Sequence, residues 1–260
     1  MAPLSFTDQM GNNISLPDFP KRIVSLVPSQ TELLADLGLT EEVVGITKFC
    51  VHPPRWRFQK TVVGGTKNPD TELIKTLAPD LIIGNKEENE KRSIGVLQQE
   101  FPVWMSNINT LADALGMINT IGAMTDRLDV ATRIRSSITE QFLALPGTIG
   151  KSVLYLIWRK PWMAAAANTF IDDMLSKIGL INVAGDLSRY PTLSDEEVAS
   201  LSPDNILLST EPYPFQEKHF RELQDICPRS NICLVDGEMF SWYGSRLLNE
   251  PAYFRTLALV

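Results

Sequence analysis

The chain predicts an α/β protein of two similar parallel-sheet lobes joined by a long helical backbone, and three observations predict it. An ordered set of short strands and helices occurs twice. Each copy places a Pro-Asp pair ahead of an apolar run: Leu77-Ala78-Pro79-Asp80 before residues 81–84 (LIIG), and Leu201-Ser202-Pro203-Asp204 before residues 206–208 (ILL). Between the copies lies a stretch of unbroken helical periodicity. A unit that recurs once makes a pair of lobes and not a solenoid. The expected division is residues 1–110, a connecting backbone helix over 111–145, and residues 146–260.

Taken in order, residues 5–16 read as a short edge hairpin turned at Gly11-Asn12-Asn13. Pro17, Pro20 and Lys21-Arg22 then lead into a core strand over residues 22–27 (RIVSLV). A loop, Val27-Pro28-Ser29-Gln30, precedes a helix over 31–39 whose Leu33, Leu34 and Leu37 form an apolar stripe ended by Gly38. Strand, loop and helix in that order build a parallel sheet. Residues 43–46 (VVGI) and 81–84 are continuous apolar runs, as in strands covered on both faces. Residues 111–145 repeat apolar positions at helical spacing (Leu115, Ile118, Ile121, Leu128, Ala131, Ile134, Ile138, Phe142), with Pro146, Gly147 and Gly150 as terminators. Unbroken, this run would be about 45 to 50 Å long at roughly 1.5 Å per residue, a stiff strut; two packed helices are the alternative. The second copy follows as residues 151–158 (KSVLYLIW), 171–180 (IDDMLSKIGL), 182–185 (NVAG) and 201–208.

Composition narrows the function. A net charge of −7 and a pI near 5.0, with no basic run, leave no footprint for nucleic acid. Cys50, Cys227 and Cys233 are too few for a disulfide scaffold, although a Cys227–Cys233 bridge stays open. No stretch reaches the roughly 20 apolar residues that span a bilayer. Residues 1–11 (MAPLSFTDQMG) have neither the basic nor the apolar region of a secretory signal, so the expectation is either work inside the cell or a leader already removed. Gly150-Lys151-Ser152 imitates the end of a phosphate loop, but Leu145 stands where its first glycine belongs. GxSxG and HExxH are absent. An enzyme would have to use Cys50 and His52, and the chain is read as a non-enzyme.

Ligands of doubly wound sheets bind beyond the carboxyl ends of the strands. Those ends lead here into Pro28-Ser29-Gln30, residues 47–56, residues 85–88, residues 159–162, Tyr190, residues 211–215 and residues 236–246. Aromatic side chains gather there, and Trp56, Trp162, Tyr190, Trp242 and Tyr243 are expected to offer flat walls to a flat ligand. Trp104 and Trp158 are expected in the core. Arg246 and Arg159 have the fork that grips carboxylate or phosphate, with Lys67 and Lys86 as weaker candidates. His219 lies in a charged segment and reads as a surface residue. His52, ahead of Pro53-Pro54, is a candidate ligand contact and a candidate axial donor to a metal.

The ordered set RIVSLVPSQTELLADLGL, VVGIT, NPDTELIKTLAPDLIIG, the helical strut and the second-lobe counterparts resembles the substrate-binding proteins of ABC importers for cobalamin, haem and ferric siderophores. This class III, helical-backbone metal receptor resemblance covers essentially the whole chain, and the cobalamin-binding members look most alike. It implies capture of a corrinoid between two lobes for ABC-type uptake, with haem or a ferric siderophore as alternative cargo. It also implies a periplasmic or cell-envelope location; an intracellular carrier or sensor is the other reading, given the missing leader. No intrinsic cofactor is implied, and a monomer that is not membrane-embedded is expected. By the same resemblance, Glu72 and Glu196 match the acidic residues that meet permease arginines, and His52 stands where the cobalamin-binding relatives carry a corrin-touching tyrosine. The ligand set is then Pro28, Ser29, His52, Trp56, Trp162, Tyr190, Trp242, Tyr243 and Arg246.

Overall fold

Runs of apolar residues buried without alternation organise the structure, a computed structural model that describes residues 3–145, 150–257 and 259. Pro146 and Gly147, expected to terminate the helical run, lie outside the described residues. The chain divides into two units: residues up to Ile108 with Ala112–Ile138 and Tyr243–Arg246, and Asn109–Leu111 with Thr139–Trp242 and residues from Leu247 onward.

In the first unit five strands form one parallel sheet in the order Thr61–Val62, Val43–Ile46, Ile23–Ser25, Leu81–Asn85, Val103–Ser106. Every residue of Ile23–Ser25 and Leu81–Asn85 is buried, which a parallel sheet with both faces covered requires. Val24, Ile82 and Val103 pack with Leu26, Val63, Ile74, Ile94, Leu97 and Met105 in one core. Chain order reverses on either side of Ile23–Ser25, so a topological switch point lies between that strand and Leu81–Asn85. The hairpin pairs Leu4–Thr7 with Asn13–Leu16. Its turn is held by the Asp8 carboxylate, which accepts from the Met10 and Asn12 backbone amides and the Asn12 side chain.

The second unit carries a mixed sheet, ordered Thr192–Leu193, Trp162–Ala164, Ser152–Trp158, Asn205–Ser209, Asn231–Val235, with Ile181–Asn182 beside Ser152–Trp158. Its centre is parallel as expected. Trp162–Ala164 runs antiparallel because the chain reverses at once after Trp158, where Lys160 takes a φ of 63°.

The repeated Pro-Asp has one physical meaning in both units. A helix (Thr71–Thr76 or Asp195–Leu201) ends, the following chain takes a left-handed residue, Ala78 (φ 44°) or Ser202 (φ 43°), and proline prevents continuation. The aspartate then clamps the entry of the neighbouring strand. Asp80 accepts from the Lys21 and Arg22 amides at 2.8 and 2.9 Å. Asp204 accepts from the Ser152 amide and hydroxyl, both at 2.8 Å.

Two boundaries differ from the sequence reading. The helix Pro28–Asp36 starts inside the expected loop: Pro28 supplies a preset φ at the first helical position, and the Thr31 hydroxyl returns to the Val27 carbonyl. The expected strut is two helices, Leu111–Met124 and Leu128–Leu143. Asp126 adopts a φ of 57° between them, and the Arg127 amide bonds back to the Gly122 carbonyl at 2.7 Å. A Cβ on Gly122 would stand 2.3 Å from the Ala131 Cβ, so the missing side chain admits the second helix.

Candidate functional site

At the switch point of the first unit the loops after three parallel strands are laced together. Asn85 is the last residue of its strand; its side-chain carbonyl caps the Glu87 and Glu88 amides, and its amide reaches the Ser106 hydroxyl. Asn89 donates to the Leu26 and Thr66 carbonyls, tying together the strand ends at 26, 66 and 85. Gln30, on the first turn of the helix Pro28–Asp36, hydrogen-bonds Ser106 from the same side.

The segment Tyr243–Arg246 belongs to this unit and lies on that helix. Gly244 has a φ of +118°, and a Cβ there would meet the Ser29 carbonyl oxygen at 3.1 Å. Only glycine suits both the conformation and the approach. Two residues on, Arg246 grips Glu32 with both arms, Nε to Oε2 at 2.9 Å and Nη2 to Oε1 at 2.8 Å. Burial pushes the Glu32 carboxyl above the usual carboxylate range, while the Arg246 fork and the field of nearby His52 pull it back. Pro28, Ser29, His52, Tyr243 and Arg246 all belong to this unit, and Arg246 and His52 act on Glu32, which is not among the expected site residues. The signal available was Thr31-Glu32 on the first helix after a switch-point strand.

Two expectations, on Arg246 and Trp56, are corrected within this unit. Arg246 is not held out for a ligand anion, because its fork is occupied by Glu32. Trp56 is 0 % exposed and packs under Lys60, whose ammonium lies 5.5 Å from the ring, so it supports the loop and offers no open wall. Cys50 is fully buried between the Thr31 and Thr47 hydroxyls at 3.0 and 3.2 Å, and burial pushes its thiol up. That is a packed thiol held away from the thiolate a nucleophile needs. His52 is half-buried ahead of Pro53. Among the described residues no three His, Cys, Asp or Glu side chains gather as a metal centre; His52 can therefore offer at most one axial donor to a metal already held in a chelate.

In the second unit the ends of Ser152–Trp158, Asn205–Ser209 and Asn231–Val235 lead to an aromatic layer. Glu211 accepts at one oxygen from the Ser241 hydroxyl (2.8 Å) and the Trp242 indole (2.9 Å). Burial raises the Glu211 carboxyl, and the neighbouring Glu238 and Asp236 charges add to the rise. Trp162 stacks parallel to Phe215 at 6.4 Å and donates its indole N–H to Asp195 at 2.7 Å. Trp162, Trp242 and Tyr243 are each buried, more so than a lining role needs. Tyr190 is half-buried, with the Arg189 guanidinium 5.6 Å from its ring. Arg159 is taken by Glu222 at 2.5 Å.

Two aromatic placements reverse the sequence reading. Trp158 is 41 % exposed, edge-on to Tyr213, because it follows the last buried residue of its strand. His219 is buried among Tyr213 and Phe215; its Nδ1 accepts from the Gln216 amide at 3.0 Å, and burial lowers its pKa, helped by Lys218 and Arg159. Trp104 is buried as expected, and all three cysteines are free, so Cys227 and Cys233 form no bridge.

Glu72 and Glu196 each lie exposed in the first turn of a short helix. Lys75 pairs Glu72 at 3.2 Å and Glu100 at 2.7 Å. Backbone and Ser194 hydrogen bonds hold the Glu196 carboxyl below its usual range, on a helix closed by the Ser194/Glu197 capping box.

Comparison with known proteins agrees with this architecture. The chain is 25 % identical over 217 residues to an uncharacterised ABC transporter substrate-binding lipoprotein of Bacillus subtilis, covering 79 % of this chain and 68 % of that protein. It is 27 % identical over 219 residues to a cobalamin-binding protein of Halobacterium salinarum, of whose length the match spans only 58 %, against 79 % of this chain. The crystal structure of a periplasmic haem-binding protein of Vibrio cholerae superposes with a TM-score of 0.77 at 22 % identity, over 90 % of this chain and 97 % of that one. A family model described as periplasmic binding protein matches residues 23–224. The chain, two α/β units with a switch point and long helices, belongs to the periplasmic binding protein family.

Proposed function

We propose that the protein captures a metal chelate for uptake through an ABC permease, a corrinoid first, with haem or a ferric siderophore as alternative cargo. The observation that carries this reading is the family match from residue 23 to 224, joined to the likeness with a cobalamin-binding protein. The proposed contact residues are the half-buried members of the set, His52 in the first unit and Tyr190 in the second, while Pro28, Ser29, Tyr243, Trp162 and Trp242 are buried and support the loops that carry them. Recognition is by shape and stacking, with His52 as the single axial donor for the chelated metal. Glu32 and Glu211 act behind these residues, fixing Arg246 and Trp242 in place.

Glu72 and Glu196 are the proposed permease contacts. Exposed carboxylates facing arginines give orientation and association rate more than affinity. The deciding experiment is a visible-spectrum titration with cyanocobalamin, dicyanocobinamide and haemin, followed by calorimetry on any ligand that responds. A micromolar or tighter response to a corrinoid is expected. Silence toward all three shifts the cargo to a siderophore, tested next with ferric hydroxamates and catecholates.

A further inference from the structure

Residues 43–69 carry five cations, Lys48, Arg55, Arg57, Lys60 and Lys67, and no carboxylate, in a chain whose net charge is −7. Two of the five are committed locally: Lys60 donates to the Thr40 carbonyl over the Trp56 ring, and Lys67 donates to the Glu87 carbonyl. Arg55, Arg57 and Lys48 are free of carboxylate partners among the described residues and are exposed. Between them stand two exposed aromatic rings, one of them the most exposed large apolar side chain among the described residues. Phe58 is 91 % exposed and Phe49 is 51 % exposed, with the Lys48 ammonium 5.1 Å from the Phe49 ring.

Phe58 is not carried outward by a loose loop. It sits on the one-turn helix Trp56–Gln59, and Trp56 beneath it is wholly buried, so the turn is anchored and its outer side is presented. An anchored phenylalanine flanked by unpaired cations is the chemistry of an interfacial contact, in which the ring enters the headgroup boundary and the cations meet anionic lipid.

We infer that the turn Arg55, Arg57 and Phe58, with Lys48 and Phe49 of the same loop, is a face that rests on the surface of an anionic lipid bilayer. Charge complementarity selects that occupant: an acidic protein surface would satisfy the arginines but gives no reason for a protruding Phe58, and an apolar protein groove gives none for the unpaired cations. The contact is peripheral, since no helix of the described residues is long and apolar enough to cross a membrane. It would hold a receptor flat against the membrane that contains its permease, and it does not depend on which chelate is carried.

The test is co-sedimentation of the purified protein with phosphatidylcholine vesicles, with and without about 30 mol% phosphatidylglycerol, at low and at physiological salt. Binding is expected only to the anionic vesicles and is expected to weaken with salt. R55S/R57S and F58S change exposed side chains, so thermal melts matching the parent confirm folding. Each variant is expected to lower the partition coefficient roughly tenfold, given the contribution of each basic or apolar group at an interface. Absence of binding to anionic vesicles at low salt overturns the inference, as does equal binding by either variant. A chelate titration of the same variants should be unchanged, which separates this surface from the ligand site.

Discussion

His52 is the side chain on which the ligand reading turns most directly. If it touches the chelate, His52→Ala should weaken binding about tenfold or more, roughly 1.4 kcal/mol, by calorimetry; unchanged affinity would remove it from the contact surface. His219 makes a different prediction. Its Nδ1 is a hydrogen-bond acceptor and its folded pKa is lowered, so the folded protein takes up a proton less readily than the unfolded chain. Its contribution to stability is then complete above the unfolded value near 6.5 and is lost as pH falls through that value toward the lowered folded pKa. Urea melts between pH 7.5 and about 5 should show this loss, and His219→Gln should flatten that limb of the profile. At this scale the sequence was least informative. Residue types at strand ends were legible, but whether Arg246 faced a ligand or Glu32 depends on a partner 214 positions away that no local pattern links, and His219 turns inward on the nearby Phe215 only because the segment between them folds back.

Elements were far more legible, because they follow from short-range rules. The paired Pro-Asp motifs announced two strands, and the structure adds the reason: a left-handed residue, a proline stop and a carboxylate clamp in the same order twice. The strut shows where such rules end. Apolar spacing continues through residues 124–128, and nothing in that periodicity reveals that the helix turns on Asp126. Gly122 was the available clue, a helix-weakening residue inside a strong pattern, explained by Ala131 lying where its side chain would be. Gly122→Ala tests this. Helix propensity alone predicts a gain of up to about 1 kcal/mol, whereas overpacking predicts a loss of about 1 to 3 kcal/mol. A net fall in stability by denaturant titration is expected. Ser194→Ala should cost about 1 kcal/mol through the lost cap, and it should alter the presentation of Glu196.

For the molecule as a whole, binding and partner recognition should separate cleanly. Charge reversal at Glu72 and Glu196 is expected to leave chelate titrations unchanged and to abolish stimulation of a reconstituted cognate permease; retained stimulation would dismiss the docking assignment. Ligand should also stabilise the fold, by about 2.7 kcal/mol at a hundredfold excess over Kd, read as a rise in Tm.

The chain crosses from one unit to the other and back more than once, and the segment Tyr243–Arg246 returns from the far end of the sequence to the first unit. Cutting the polypeptide at residue 145 would therefore not yield an autonomous half. The severed piece would keep Glu32 and lose both the guanidinium that pairs with it and the cover that Tyr243–Arg246 lays on the helix Pro28–Asp36. Completion of the first unit must wait until nearly the whole polypeptide has been synthesised. A peptide carrying residues 238–250, added in trans, should restore part of what the truncation removes.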